Sequence, residues 1–258
     1  MRTFTTHLLY VILFMALCTG FSKNLSAQNI TTYQYRHVSP NNTEEFVKRE
    51  TTYWSKVARA AIDKGTLTFW ALLERVDGSD MLNSPNYLFV NTYTSVDTGD
   101  VWNATAVFPQ ISMDKMETNS ISTVTSQYFL QDENWEQATK AVPATDFNYI
   151  IMVYHNSSQP GNFIAMEKRH WAPFIKTAMD NKETAQVAWG NAYVLSPSGA
   201  DIKFNTVSYD LFSTLKAALL QDWNTNTKFP TTGLDSLNKI AVTMPSREIY
   251  RIVKVEAK

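Results

Sequence analysis

Apolar positions recur every three or four residues in two long stretches of the chain and every two residues in several shorter ones, which separates helices from strands. The first helical stretch carries Phe46, Glu50, Trp54, Val57, Ala58 and Ala61 on one stripe. The second carries Phe163, Glu167, Trp171, Phe174, Ile175 and Ala178. Phe, Glu and Trp therefore recur at the same spacing of four, 117 positions apart. Each stripe is an amphipathic face with a carboxylate inside it. A carboxylate there is costly unless it is hydrogen-bonded, paired or protonated. Either each Glu is tied down structurally, or one of them points into a ligand pocket.

The alternating stretches predict strands over 31–38, 67–76, 87–93, 126–130, 147–154, 186–195, 202–209 and 246–255. The helical stretches span 43–64 and 162–181, with Asn42 and Glu45 resembling a capping box and Gly65 placed to end the first helix. Pro173 should kink the second helix just past Trp171. A short helix interrupted by Pro109 is expected over 102–119, and 210–220 reads as a helix with Asp210 near its start. Residues 133–142 read as a connection between halves.

The element order is then β-α-β-β-α-β, twice. His37 with His155, Trp70 with Trp189 and Tyr93 with Tyr209 fall at comparable places. The expectation is an α+β protein of two tandem ferredoxin-like units, residues 28–143 and 144–258, after a leader of 1–27.

The leader has a basic residue at Arg2, an apolar run over 8–18 too short to span a bilayer comfortably, and a cleavage signal ending at Ala27. Export to a periplasm or beyond is expected. Without residues 1–27 the chain has no cysteine, because Cys18 is the only one, and 21 basic residues face 24 acidic ones. Disulfides are excluded as a source of stability. No basic stripe argues for nucleic acid, and no polybasic cluster for a membrane surface after leader cleavage.

Two ferredoxin-like units, each with a long first helix carrying Glu-x-x-x-Trp and a following strand carrying Trp70 or Trp189, resemble the dimeric α/β-barrel superfamily. The repeated block looks like that of secreted bacterial members of this superfamily. The resemblance implies two sheets packed face to face, here within one chain as a pseudo-dimer, either monomeric or as a homodimer. The superfamily includes cofactor-independent monooxygenases, isomerases, stress-response proteins and haem proteins.

Candidate chemistry is sparse. His37, His155 and His170 remain after processing, without a thiol or an HxH or HExxH pairing, so no metal and no cofactor is expected. There is no GxSxG and no glycine-rich loop opening a helix. The candidate ligand-binding residues are Glu50, Trp54, Trp70, Tyr93 and His37 in the first half, and Glu167, Trp171, Trp189, Tyr209 and His155 in the second. Three functions remain open. The first is an exported binder of a small apolar or aromatic molecule in a barrel or sheet–helix pocket. The second is a cofactor-independent monooxygenase or isomerase using carboxylate or imidazole as base. The third is a ligand-free interaction protein. An enzyme requires a pocket holding a polar group with a perturbed pKa, a binder an apolar pocket without one, and a scaffold a filled interior with an exposed apolar patch.

Overall fold

A computed structural model describes residues 30–78, 84–97, 101–199 and 202–258. The expected leader lies outside the described residues. Among those residues no helix is long and apolar enough to cross a membrane.

The chain opens with β1 (Ile30–His37). The helix α1 follows as one run over 43–63, built from Thr43–Arg49, a wider π turn at Glu50–Trp54, and Ser55–Asp63. Next come β2 (Leu67–Arg75), β3 (Tyr87–Tyr93), the short helices α2 (Ala104–Val107) and α3 (Met113–Met116), and β4 (Thr123–Gln137). A one-turn helix α4 (Pro143–Asp146) joins the halves. The second half contains β5 (Tyr149–His155) and α5, a run over 160–180 with its own π turn at Glu167–Trp171. It ends with β6 (Gln186–Ser196), β7 (Thr206–Phe212), α6 (Leu215–Leu220), α7 (Thr231–Ile240) and β8 (Ser246–Ala257).

The eight strands form a closed, antiparallel barrel in the order β1-β3-β2-β8-β5-β7-β6-β4. Read cyclically, β4-β1-β3-β2 is followed by β8-β5-β7-β6, so the two runs of four strands share one internal order. The seams are β2 against β8 and β6 against β4. Closure removes the unpaired sheet edges that an open four-stranded unit would present. Inward residues such as Tyr35, Leu73, Leu88, Met152 and Val207 line the lumen, while α1 and α5 cover the outer faces.

Both long helices carry the same irregularity. The Ser55 amide bonds back to the Glu50 carbonyl, and the Ala172 amide to the Glu167 carbonyl, each spanning five residues instead of four. The turn in α1 forms with no proline near it, so the widening does not require one; in α5 Pro173 stands in the first turn of the regular run that follows. Both helices also end alike. After α1, Gly65 at φ +79° lets the Gly65 and Thr66 amides reach the Ile62 and Ala61 carbonyls at 2.9 and 3.0 Å. After α5, Lys182 takes the left-handed position at φ +59° and makes the matching bonds to Met179 and, through Glu183, to Ala178.

Several boundaries differ from expectation. Asn42 makes no side-chain cap bond; Glu45 instead pairs with Arg49 at 2.8 Å. Strand β4 continues to Gln137 through the stretch expected as a connection, because it forms the seam with β6. Asp210 lies within β7, opposite Ile151 and Trp189, and the helix begins only at Leu215. His170 is half-buried, because α7 packs on it so closely that a Cβ on Gly233 would lie 2.5 Å from it.

Candidate functional site

The outer face of β1 is polar where the helix crossing it is apolar. Thr32, Gln34 and Arg36 alternate toward α1, while Tyr33 and Tyr35 alternate into the lumen. A helix with a large aromatic stripe cannot close on such a face without stranding the polar groups. A cavity of about 590 Å³ lies between them. Its aromatic wall is Trp54, Trp70, Phe89, Tyr93, Trp102 and Phe129. Its polar groups include Glu50, Arg36, Gln34 and Asn91.

Glu50 is 3% exposed. Its Oε1 accepts a hydrogen bond from Thr118 Oγ1 at 2.7 Å, and Oε2 accepts none from the described residues. Burial raises its pKa to about 7, against the lowering effects of Thr118 and of the Arg36 charge. Arg36 Nε donates to Gln34 at 2.8 Å and Nη1 to Ser122 at 2.9 Å, with the guanidinium 5.3 Å from the Phe89 ring centre. Its Nη2 makes no hydrogen bond to the described residues. Trp54 donates its indole N–H to the Met116 carbonyl at 2.8 Å, which fixes the ring at the cavity edge. Burial raises the Tyr93 pKa, against smaller lowering effects of the Trp102 and Thr32 side chains. A carboxyl that titrates near neutrality, a cation and an aromatic wall thus share one recess.

The second half has the same frame and a different filling. Trp70 lies opposite Asn91, and Trp189 opposite Asp210. Thr32 lies opposite Asn91, and Ile151 opposite Asp210. Four residues further along, Arg36 therefore corresponds to His155, not His37. Thr32 and Gln34 correspond to Ile151 and Val153, which pack under Phe212 and Ala218. Glu167 is 5% exposed, and both of its oxygens are used: Asn191 Nδ2 donates at 2.7 Å and Ser208 Oγ at 2.8 Å. Its pKa is also raised to about 7 by burial. His155 lies 3.3 Å from Ser208, and burial, with the Arg247 charge, lowers its pKa to about 4.

Of the candidates from the sequence, Glu50, Trp54, Trp70 and Tyr93 line one cavity. His37 stands apart, its Nδ1 2.8 Å from the Ser84 carbonyl oxygen. Trp171 and Trp189 belong to one packed cluster under α5, while Glu167 and His155 meet through Ser208. Tyr209 points into the barrel lumen, and its place in the ladder corresponds to Val90, not to Tyr93. Sequence reasoning missed Arg36, Thr118 and Trp102. The signal for Arg36 was present as the polar alternation Thr32-x-Gln34-x-Arg36, against Ile151-x-Val153-x-His155 in the second half. Thr118 and Trp102 sit in loops, where no periodicity marks them.

No family model matches the chain, and no curated protein is similar to it in sequence. Solved structures are similar in fold. An anthrone oxidase-like protein superposes with a TM-score of 0.53 at 13% identity, over 90% of this chain and 95% of its own. A protein proposed as a monooxygenase from Lactobacillus acidophilus NCFM gives 0.55 at 10% identity, over 89% and 95%. Another, from Fusobacterium nucleatum subsp. nucleatum, gives 0.53 at 12% identity, over 89% and 94%. The chain therefore has the dimeric α/β-barrel fold. At these identities the likeness carries the fold alone.

Proposed function

We propose that the protein is a cofactor-independent enzyme that removes a proton from a small aromatic or enolisable molecule, with Glu50 as the general base. The observation that carries this reading is the free Oε2 of Glu50, on a carboxyl with pKa about 7, in a cavity of about 590 Å³ with an aromatic wall. A base poised near the working pH combines the right protonation state with useful driving force. Arg36, with an unused N–H, stabilises the oxyanion that forms as the proton leaves. The cavity volume suits a two- or three-ring molecule. A purely apolar binder would not need a buried carboxyl and guanidinium in its wall.

The anion so formed has two outlets. Return of the proton at another carbon is isomerisation. Alternatively, the anion gives electrons to dioxygen; one oxygen atom replaces the two hydrogens of a CH2 group as a carbonyl, and the other leaves as water. The fold likeness to proposed monooxygenases and an anthrone oxidase-like protein supports the second outlet.

The same reading takes the chain as a tandem duplication, units 28–143 and 144–258, in which the first unit kept its cavity and the second filled its own. The repeated strand order, the paired π turns and the matching helix ends support this. It also takes the protein as exported, on the leader-like sequence of 1–27, and as a monomer whose two halves stand in for two subunits.

Anthrone is the first substrate to test, under air, with anthraquinone measured by chromatography. The reading expects a rate above buffer that rises with pH through about 7, falls at least about 100-fold in Glu50→Gln, and survives in Glu167→Gln. Absence of any acceleration across anthrone and other enolisable aromatic carbon acids would overturn it, as would full activity in Glu50→Gln.

A further inference from the structure

The barrel lumen is a second recess, separate from the cavity under α1. It has a volume of about 640 Å³, and a cluster of aromatic and charged side chains closes the barrel beyond one end of it. At the closed end, Tyr35 donates to Tyr154 at 2.9 Å, and Tyr154 and Tyr250 both donate to Glu248, at 3.1 and 2.6 Å. Arg75 pairs with the same Glu248 at 2.9 Å, and Phe204 packs on Tyr128 and Tyr154 with ring centres 4.6 and 4.7 Å apart. This aromatic and ionic plug is complete in itself. At the other end, Trp135 and the linker residues Pro143, Ala144 and Phe147 form the rim.

Eight strands enclose just enough space for side chains or for one small ligand. Here small residues decide between the two. Ala71 and Ala257 line the recess, and Gly190 lets the Tyr209 ring lie flat on β6, where a Cβ would meet it at 2.4 Å. Between the plug and the rim the wall is apolar, with Leu73, Val90, Ile150 and Met152 among its residues. Among the described residues no Lys, Arg or His lines it.

Thr92 and Gln137 add polar groups to that wall, and Asp132 adds its one carboxyl among the described residues. Asp132 accepts a hydrogen bond at Oδ2 from Thr31, and its Oδ1 has no partner among the described residues. Asp132 has a large open surface, yet burial raises its pKa. Both hold if the open surface is lumen wall instead of bulk solvent. Tyr33 and Tyr209 stand near enough to feel its charge.

We propose that the lumen is a second ligand site, which takes one neutral, elongated apolar molecule with a single hydroxyl head donating to Asp132 Oδ1. A carboxylate-headed chain is disfavoured, because it would bring a second anion to Asp132 with no cation to offset it. The site is independent of the Glu50 chemistry and stands or falls separately from it.

The neutral dye Nile red reports the site by fluorescence when titrated into the full chain, with 1-decanol and decanoate as competitors at pH 8. The expected result is saturable dye binding that 1-decanol displaces at a concentration at least about tenfold lower than decanoate, a gap of about 1.4 kcal/mol. Ala71→Phe, which occupies the lumen, removes dye binding, whereas Glu50→Gln leaves it unchanged. If Ala71→Phe does not fold, Asp132→Asn supplies the test instead: the alcohol–carboxylate gap narrows to within about threefold as the anion leaves the wall. Failure of Nile red to bind overturns the proposal. So does equal displacement by the two competitors in the wild type, an unchanged gap in Asp132→Asn, or dye binding lost in Glu50→Gln and kept in folded Ala71→Phe.

Discussion

Replacing Glu50 by Gln should stabilise the fold, and by an amount set by pH. Glu50 has a folded-state pKa of about 7 against an ordinary value of 4.5, because burial disfavours its charge. The folded state therefore holds its proton more tightly than the unfolded chain, so stability falls as pH rises from about 4.5 to 7 and then levels off. At 1.36 kcal/mol per pKa unit, the wild type loses about 0.8 kcal/mol from this group at pH 5 and about 3.3 kcal/mol at pH 8. Glutamine keeps an acceptor for Thr118 Oγ1 and carries no charge to desolvate. The advantage of Glu50→Gln over wild type should thus grow by about 2.5 kcal/mol between pH 5 and pH 8, or roughly 5–10 °C in Tm for a chain of this size. Thermal unfolding followed by circular dichroism at the two pH values checks it. A difference in Tm between variant and wild type that is the same at both pH values would refute the reasoning. A residue kept at such a cost is one whose charge is used, which is why the stability and activity of this variant should move in opposite directions.

Three further outcomes follow from the packing. Gly190→Ala puts a Cβ within 2.6 Å of three atoms of the Tyr209 side chain and should cost about 2–3 kcal/mol in urea unfolding, with much of the loss recovered when Tyr209→Ala is added. Lys182→Gly relieves a left-handed lysine at the end of α5 and should raise stability by about 1 kcal/mol, whereas Gly65→Ala at the matching position should lower it by a similar amount. His155, whose pKa is lowered to about 4, is held neutral in the folded state, so its contribution is lost as pH falls from 6.5 towards 4. His155→Gln should flatten that acid limb by about 2 kcal/mol in stability measured at pH 4.5 against pH 7.

The fold was readable because it is written in periodicity. Alternation of two marked part of every strand of the barrel, although β4 runs well beyond the expected 126–130 and β7 lies at Thr206–Phe212 instead of 202–209, and the stripe through Phe46, Glu50 and Trp54 placed α1. The errors fall where tertiary pairing overrides local pattern. Asp210 looks like a helix start in sequence, yet the ladder with β5 and β6 holds it in a strand, where Gln186 Nε2 bonds it at 2.7 Å. The run 133–137 is polar, yet β6 recruits it to close the barrel. The π turns leave no trace in the pattern, because one inserted residue shifts the stripe by less than the width of the apolar face. For the site, the repeated Glu was visible, but which copy faces a cavity was not. That distinction comes from Thr32, Gln34 and Arg36 against Ile151, Val153 and His155, a comparison that needs the strand register. Tyr93 and Tyr209 fall at comparable places in the sequence, but the strand register does not match them and sends one outward and the other into the lumen.

The carboxyl titration of Glu50 bears most directly on its role as a base. Protein labelled with 13C at the glutamate carboxyl carbon, compared with the Glu50→Gln variant to assign the signal, gives the midpoint from chemical shift against pH. A midpoint near 7 is expected, with the carboxylate forming as the reaction turns on. A midpoint below about 5 would mean that the charge is solvated or paired in the ground state, and Glu50 would then be a structural carboxylate like any exposed one.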